Sequence, residues 1–295
     1  MQGFSPILHI HIALEEAAER ARNMRKKMKQ CTLVRANLCS DVPGRLRSTH
    51  DTRMQELSSW SLHEPQNHKQ PPVFRMIPGG GIQLNDRFDV VSIQFAIHYM
   101  METKDHACRF FRTVSQLLDN GGNLIATTID ARVIVSHLMK LGLNLHPEEG
   151  VAGNDEEAAP VVISIGDACE IKFQRRIVRK IFQIPPEDDK IPDSLFGLEY
   201  FFTLKDSLDQ AAVNLPEWLA PIPVLVELAR EVGLELEYAQ NFHTFYHDHH
   251  SDPHLHPDSH KLLRKVMNHR GTISQSEWDI SRLYVALKFR KVPEN

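Results

Sequence analysis

Within six consecutive positions, Gln94, Phe95, His98 and Tyr99 bring together an amide, an aromatic ring, an imidazole and a phenol. Such a set can line a pocket between a polar cofactor and a flat heterocyclic base, with rings to stack and polar groups to satisfy the edges. The same residue types admit a plainer reading, in which Phe95 and Tyr99 are core residues and His98 is a satisfied surface histidine. A second concentration of chemistry is the series His243, His247, His249, His250, His254, His256 and His260, interleaved with Asp248 and Asp252. Its short spacings can supply metal ligands, but no fixed pattern such as HExxH is present, and no metal site is expected. Cys31, Cys39, Cys108 and Cys169 are widely separated and form no CxxC pair, which argues against a zinc knuckle and a secreted disulfide framework.

The quartet follows a short apolar strand, Val90, Val91, Ile93 and Phe95, and in open α/β sheets ligands bind just beyond the carboxyl ends of strands. Lys104 to Leu118 has helical periodicity, with Ala107, Phe110, Phe111, Val114, Leu117 and Leu118 on one face. Thr103 can cap it, and Gly121 with Gly122 can end it before the strand NLIATT. Strand, helix and strand make a βαβ unit, which requires parallel pairing. A helix from Ala131 to Leu141 follows, then an acidic loop from His146 to Glu157. CEIKFQRRIVRKI and FGLEYFFTL read as strands of an inserted element; Lys172, Arg175, Arg176, Arg179 and Lys180 then form a basic strand face, solvated or turned to RNA phosphate. Pro221 to Val232 reads as a helix, Leu234 to Phe245 as a strand before a polar loop, and Arg282 to Arg290 as a closing strand.

Upstream, Ile7 to Ala13 reads as a strand that runs into a helix ending near Gln30, and Thr32 to Ala36 as a short strand. Ser40 to Pro78 is polar and proline-containing and reads as a long loop. Over 295 residues, 42% hydrophobic and 24% charged residues make an ordinary globular composition, and a formal net charge of −4 gives no overall basic field for duplex nucleic acid. No apolar run approaches the roughly 18 residues of a membrane span, so a soluble intracellular protein is expected.

FDVVSIQFAIHY, followed by a helix and GGNLIATTID, resembles the eukaryotic mRNA cap guanine-N7 methyltransferases. FGLEYFFTL, LPEWL, NFHTFY and GTISQSEWDISRLYVALKFRK agree with that family in order, so that the resemblance covers most of Phe88 to Lys291. It implies a Rossmann-like class I S-adenosylmethionine-dependent methyltransferase, α/β with a mostly parallel sheet and an inserted small β-containing element at 143–205. The expected layout is one methyltransferase domain over 1–295, N-terminally incomplete, with a long loop region at 40–86. By position the resemblance places Gln94 and Tyr99 against S-adenosylmethionine, and Phe95, His98, Tyr99, Glu217 and Tyr284 around the cap guanine. No residue is assigned as general acid or base, because guanine N7 already carries an in-plane lone pair. The implied partners are 5′-capped mRNA and other proteins of the capping apparatus, without a membrane, and the implied compartment is the nucleus. Taken without the resemblance, Glu217 reads as a helix-start carboxylate after Pro216.

The chain departs from the family pattern at its front. Relatives open the cofactor site with a strand and glycine-rich turn, roughly VLDLGCGKGGD, which this sequence does not contain; Gly79, Gly80 and Gly81 precede a strand and do not replace it. His11 stands where the family's ribose-binding carboxylate is expected, and Asn37 aligns with the acidic residue near the adenine. Two explanations follow, a truncated gene model or degeneration to a cofactor-deficient homologue that binds capped RNA or serves as a regulatory subunit.

Overall fold

The computed structural model of the chain describes residues 85–143, 159–183, 191–205, 211–250 and 273–293, and in addition 31–33, 59–63, 73–77, 257, 258 and 261. It divides into two units, Met1–Asp86 and Arg87–Asn295. The strand and helix expected between Ile7 and Gln30 lie outside the described residues, as do His11 and Asn37.

In the first unit β1 (Cys31–Leu33), β2 (Ser59–His63) and β3 (Val73–Ile77) form an antiparallel sheet in the order β1-β2-β3. The region 40–86 is therefore not one long loop. Its two five-residue strands are too short to show a period, and each is specified by partners ten or more positions away, such as Trp60 opposite Met76.

The second unit holds the expected βαβ unit. β4 (Phe88–Gln94) leads through a 3-10 turn at Ile97–Glu102 into α1 (Lys104–Leu117), and β5 (Leu118–Ile129) returns parallel to β4. Thr103 caps α1 by accepting the His106 N–H at 3.2 Å, and the predicted apolar face is the buried one. At the far end the Lys291 ammonium donates to the Ser115 and Leu118 carbonyls, at 2.7 and 2.9 Å, where the helix leaves acceptors unpaired. The glycine pair acts inside the entry to β5. Leu118 opposes Phe88 but Asn123 already opposes Val90, so 119–122 make an excursion. Gly121 has φ +79°, and a Cβ on Gly122 would lie 2.9 Å from the Asp119 carbonyl oxygen.

After α2 (Ala131–Lys140) comes the inserted element: β6 (Val161–Ile165), β7 (Cys169–Phe173), α3 (Arg175–Phe182), β8 (Glu199–Lys205) and β9 (Ala211–Trp218). Its four strands form an antiparallel sheet in chain order and carry the insertion to Trp218, beyond the expected limit at 205. The basic segment expected as strand is helical. CEIKF alternates buried and half-buried residues, but after Gln174 the buried positions become Ile177, Val178 and Ile181, a helical spacing that puts the arginines on the other face.

α4 (Ile222–Arg230) packs beside α1, and β10 (Leu234–Asn241) follows. The strand expected to reach Phe245 stops at Asn241, whose side-chain oxygen accepts the His243 N–H at 3.0 Å and starts α5 (Phe242–His250). α6 (Gln275–Ser281) opens with a Ser274/Glu277 capping box, and β11 (Tyr284–Lys291) closes the unit. The resulting sheet has the order β10-β11-β5-β4. β4, β5 and β10 run one way and β11 runs against both neighbours, so the α/β sheet is mostly co-directional, as expected, with mixed pairing. This is a Rossmann-like arrangement, and it puts the ends of β4 and β5 on one rim with the start of β11.

Candidate functional site

The chain turns sharply where β4 ends. Phe95 has φ +53°, the one positive φ among the described non-glycine residues, and its N–H is held by the Thr127 carbonyl at 3.1 Å and hydroxyl at 2.9 Å. A bulky residue in that region costs about 1 to 3 kcal/mol, and it persists here because the neighbouring strand fixes the turn. The turn leaves the Phe95 ring half exposed, edge-on to Tyr284 at 5.0 Å and to Phe242 at 6.2 Å. Tyr284 opens β11 opposite Ile129, so β5 and β11 deliver that ring to the same rim.

Three residues on, His98 is 4% exposed. Its Nδ1 lies 3.4 Å from the Thr128 hydroxyl, and its ring is 4.3 Å from that of Tyr99. Nε2 stands 3.5 Å from Glu217 Oε1 but makes no hydrogen bond. Although that spacing lies within ion-pair range, burial pulls the imidazole down to about 4, so at neutral pH it is uncharged and the contact is not an ion pair.

Glu217 lies on β9 directly opposite Tyr200 on β8, which corrects its reading as a helix-start carboxylate. It is buried, and its Oε2 accepts the Tyr200 hydroxyl at 2.6 Å. Burial raises the carboxyl above its ordinary value, while the Tyr200 bond pulls the other way. The phenols of Tyr200, Tyr284 and Tyr99 are all raised, first by burial, so each remains a neutral donor at physiological pH. Thus Phe95, His98, Tyr99, Glu217 and Tyr284, drawn from a strand-end turn and two different sheets, meet in one place.

Gln94 faces different surroundings. Its Nε2 donates to Ser92 Oγ at 3.0 Å and the Ile125 carbonyl at 3.4 Å, and it lines a cavity of about 430 Å³ with Thr127, Phe242, Tyr246 and Trp278. Its Oε1 makes no bond to the described residues, which leaves an acceptor for a cofactor edge. The described glycines sit in bends that do not lead from a strand into a helix, so no glycine cradle stands beside Gln94 among the described residues.

Sequence reasoning missed Tyr200, Thr128 and Phe242. Tyr200 had a signal: Leu198, Tyr200 and Phe202 alternate along β8 and all are buried. Phe242 had none, because the residue lay inside an expected strand. Of the histidine series, His243 stacks on Trp278 at 3.8 Å and its Nε2 lies 2.8 Å from the Trp278 carbonyl. Among the described residues no three metal-ligating side chains converge; His254, His256 and His260 are outside that set. Arg132, His137, Lys140 and Arg282 line a second, polar cleft, in which Arg132 clasps the buried Asp130 through two 2.8 Å bonds.

The mRNA (guanine-N(7))-methyltransferase domain matches residues 80–155 and 162–292. The chain is 33% identical over 215 residues to mRNA cap guanine-N(7) methyltransferase 1 of Arabidopsis thaliana, covering 70% of this chain and 48% of that protein. With the mRNA cap guanine-N(7) methyltransferase of Drosophila melanogaster it shares 30% identity over 237 residues, covering 71% and 45%. The chain thus spans about half the length of these curated relatives. Among solved structures it is similar to the CcbJ methyltransferase from Streptomyces caelestis, at 11% identity and a TM-score of 0.33 over 71% of this chain and 59% of that one. An overlay that loose supports no argument about the site. The domain match runs through β4, the inserted sheet and β11, the elements that carry Phe95, Glu217 and Tyr284, and on that basis the chain belongs to the mRNA (guanine-N(7))-methyltransferase family.

Proposed function

We propose that this protein is an mRNA cap (guanine-N7) methyltransferase that moves a methyl group from S-adenosylmethionine to N7 of the terminal guanosine of capped mRNA. The observation that carries this reading is a buried carboxylate, Glu217, set 3.5 Å from a neutral imidazole that lies against the Tyr99 ring, with Phe95 edge-on to Tyr284 on the same rim. Guanine offers N1–H and N2–H donors on one edge, which a carboxylate accepts, and a flat face, which rings hold. N7 lies on the opposite edge with its lone pair in the base plane, so the reaction needs alignment and no base. Glu217 also favours the positive charge that the purine gains. The cofactor supplies an electrophilic methyl on a sulfonium, and Gln94 and Tyr99 would hold it. Among the described residues, Gln94 and Tyr99 would face the cofactor, and Phe95, His98, Glu217 and Tyr284 would face the guanine.

A second reading, which follows from the lack of a glycine-rich cofactor turn in the sequence, is a homologue that keeps the guanine pocket and lacks cofactor affinity. Calorimetric titration of S-adenosylmethionine, run beside a methyl-transfer assay on capped RNA, separates the two. Cap binding without cofactor binding rejects the enzyme reading for this polypeptide. Because Glu217 must be ionised to accept from guanine and burial raises its pKa, cap affinity should fall with acidification at a higher pH than an ordinary glutamate would give. We further propose that the protein acts on nascent transcripts in the nucleus beside other capping proteins; imaging of the tagged full chain tests the compartment.

A further inference from the structure

We infer that Tyr200 is a positioning residue for guanine recognition: its buried hydroxyl holds Oε2 of Glu217 and leaves Oε1 for the edge of the base. The inference rests on the guanine-pocket reading given above. Tyr200 is 1% exposed, its ring lies 5.5 Å from Phe173, and β8 and β9 set it opposite Glu217, so the hydroxyl has little freedom. A phenylalanine would fill the same space. The hydroxyl adds a 2.6 Å bond to a carboxylate, within the short range of charge-assisted hydrogen bonds.

Every other ionisable group near Glu217 leaves this task undone. His98 on the 3-10 turn approaches Oε1 without a hydrogen bond, and Tyr99, Tyr284 on β11 and Cys169 on β7 feel its charge through space. Among the described residues Tyr200 is the one side-chain donor that reaches the carboxylate. The bond does two things. It turns the carboxylate so that Oε1 faces the gap shared with His98 Nε2, and it opposes the burial that favours the protonated form, in which the oxygen that must accept would be free only part of the time. Oε2 keeps a second lone pair, so N1–H and N2–H can both be accepted.

The test replaces Tyr200 by Phe in the full chain. Binding of an unmethylated cap dinucleotide is followed from pH 5 to 8, with an inosine-capped dinucleotide, which lacks the 2-amino group, as comparison. Tyr200→Phe should weaken guanine-cap binding about tenfold at neutral pH, the loss expected of one hydrogen bond to a charged group. It should also move the acid limb of binding to higher pH and shrink the preference for guanine over inosine. A role in packing alone would move neither of the last two. The carboxyl ¹³C signal of Glu217 in the unliganded protein should titrate at higher pH in Tyr200→Phe. If that variant does not fold, 3-fluorotyrosine placed at position 200, a stronger donor in the same space, should shift the Glu217 titration downward. Unchanged titration in whichever replacement folds overturns the inference. If wild type binds the cap, Glu217→Gln loses it and Tyr200→Phe leaves the acid limb in place, Tyr200 alone loses its role. If wild type binds no cap at all, the proposed function falls and the guanine role of Tyr200 falls with it.

Discussion

His98 shows how far burial can override a side chain's ordinary chemistry. An exposed histidine titrates near 6.5, but this one is held down to about 4 by desolvation. Below pH 6.5 the unfolded chain therefore takes up a proton that the folded chain refuses, and stability should fall as pH drops from 6.5 to about 4, by on the order of 3 kcal/mol at most. Glu217 works in the opposite sense: its carboxyl is raised, so the folded state protonates first and gains stability on acidification. Comparison with His98→Gln isolates the histidine. Urea denaturation at several pH values should show a shallower acid decline in the variant than in wild type; equal slopes would mean that His98 is not buried in neutral form. The sequence singled out His98 but could not set its protonation, which depends on burial beneath residues far apart in the chain, with Thr128 on β5 and Glu217 on β9 among its neighbours.

At the scale of elements, the periodic ones were readable and the ones set by their neighbours were not. α1 was legible because its apolar residues repeat at helical spacing and Thr103 marks its start. α3 was misread because the change of period at Gln174 occurs within an unbroken run of β-prone and basic residues. β10 was overextended because the signal that ends it is the side chain of Asn241, which bonds Asp130 and the Arg282 carbonyl as well as the His243 N–H. The excursion at 119–122 gives a test at this scale. Gly122→Ala should destabilise by about 1 to 3 kcal/mol, since the new Cβ meets three backbone oxygens, those of Asp119, Asp89 and Phe88, and none is the end of a flexible side chain. Gly142→Ala has open space around it and should cost only about 1 kcal/mol, the penalty of its φ of +76°. Thermal or urea denaturation of the two variants gives the order, and a reversed order would mean that the β4 to β5 entry can relax.

Across the whole molecule, the proposed guanine pocket belongs to no single element: the β4 turn, the edge of the inserted sheet and the start of β11 each contribute, and β5 and β11 hold the first and last in register. These two strands are paired on both sides, and Leu124, Ala126, Val285, Leu287 and Phe289 are all buried. Their amides should be the slowest to exchange with deuterium, and Leu287→Ala should cost about 2 to 5 kcal/mol and weaken cap binding with it. Exchange that is slowest in the inserted sheet would show instead that the pocket's two halves are stabilised separately. By itself, the sequence determined the βαβ unit, the strand end that carries Gln94, Phe95, His98 and Tyr99, and, through ordered motifs, the family. Those signals are local: a period of 3.6 or 2, a cap, a short run of residue types. Only the tertiary structure decided that Glu217 lies on a strand opposite Tyr200, that His98 is neutral beside it, and that the segment 40–86 contains two paired strands. Strand register and burial arise between residues far apart in the chain, and no local pattern encodes a partner's position or the water it excludes.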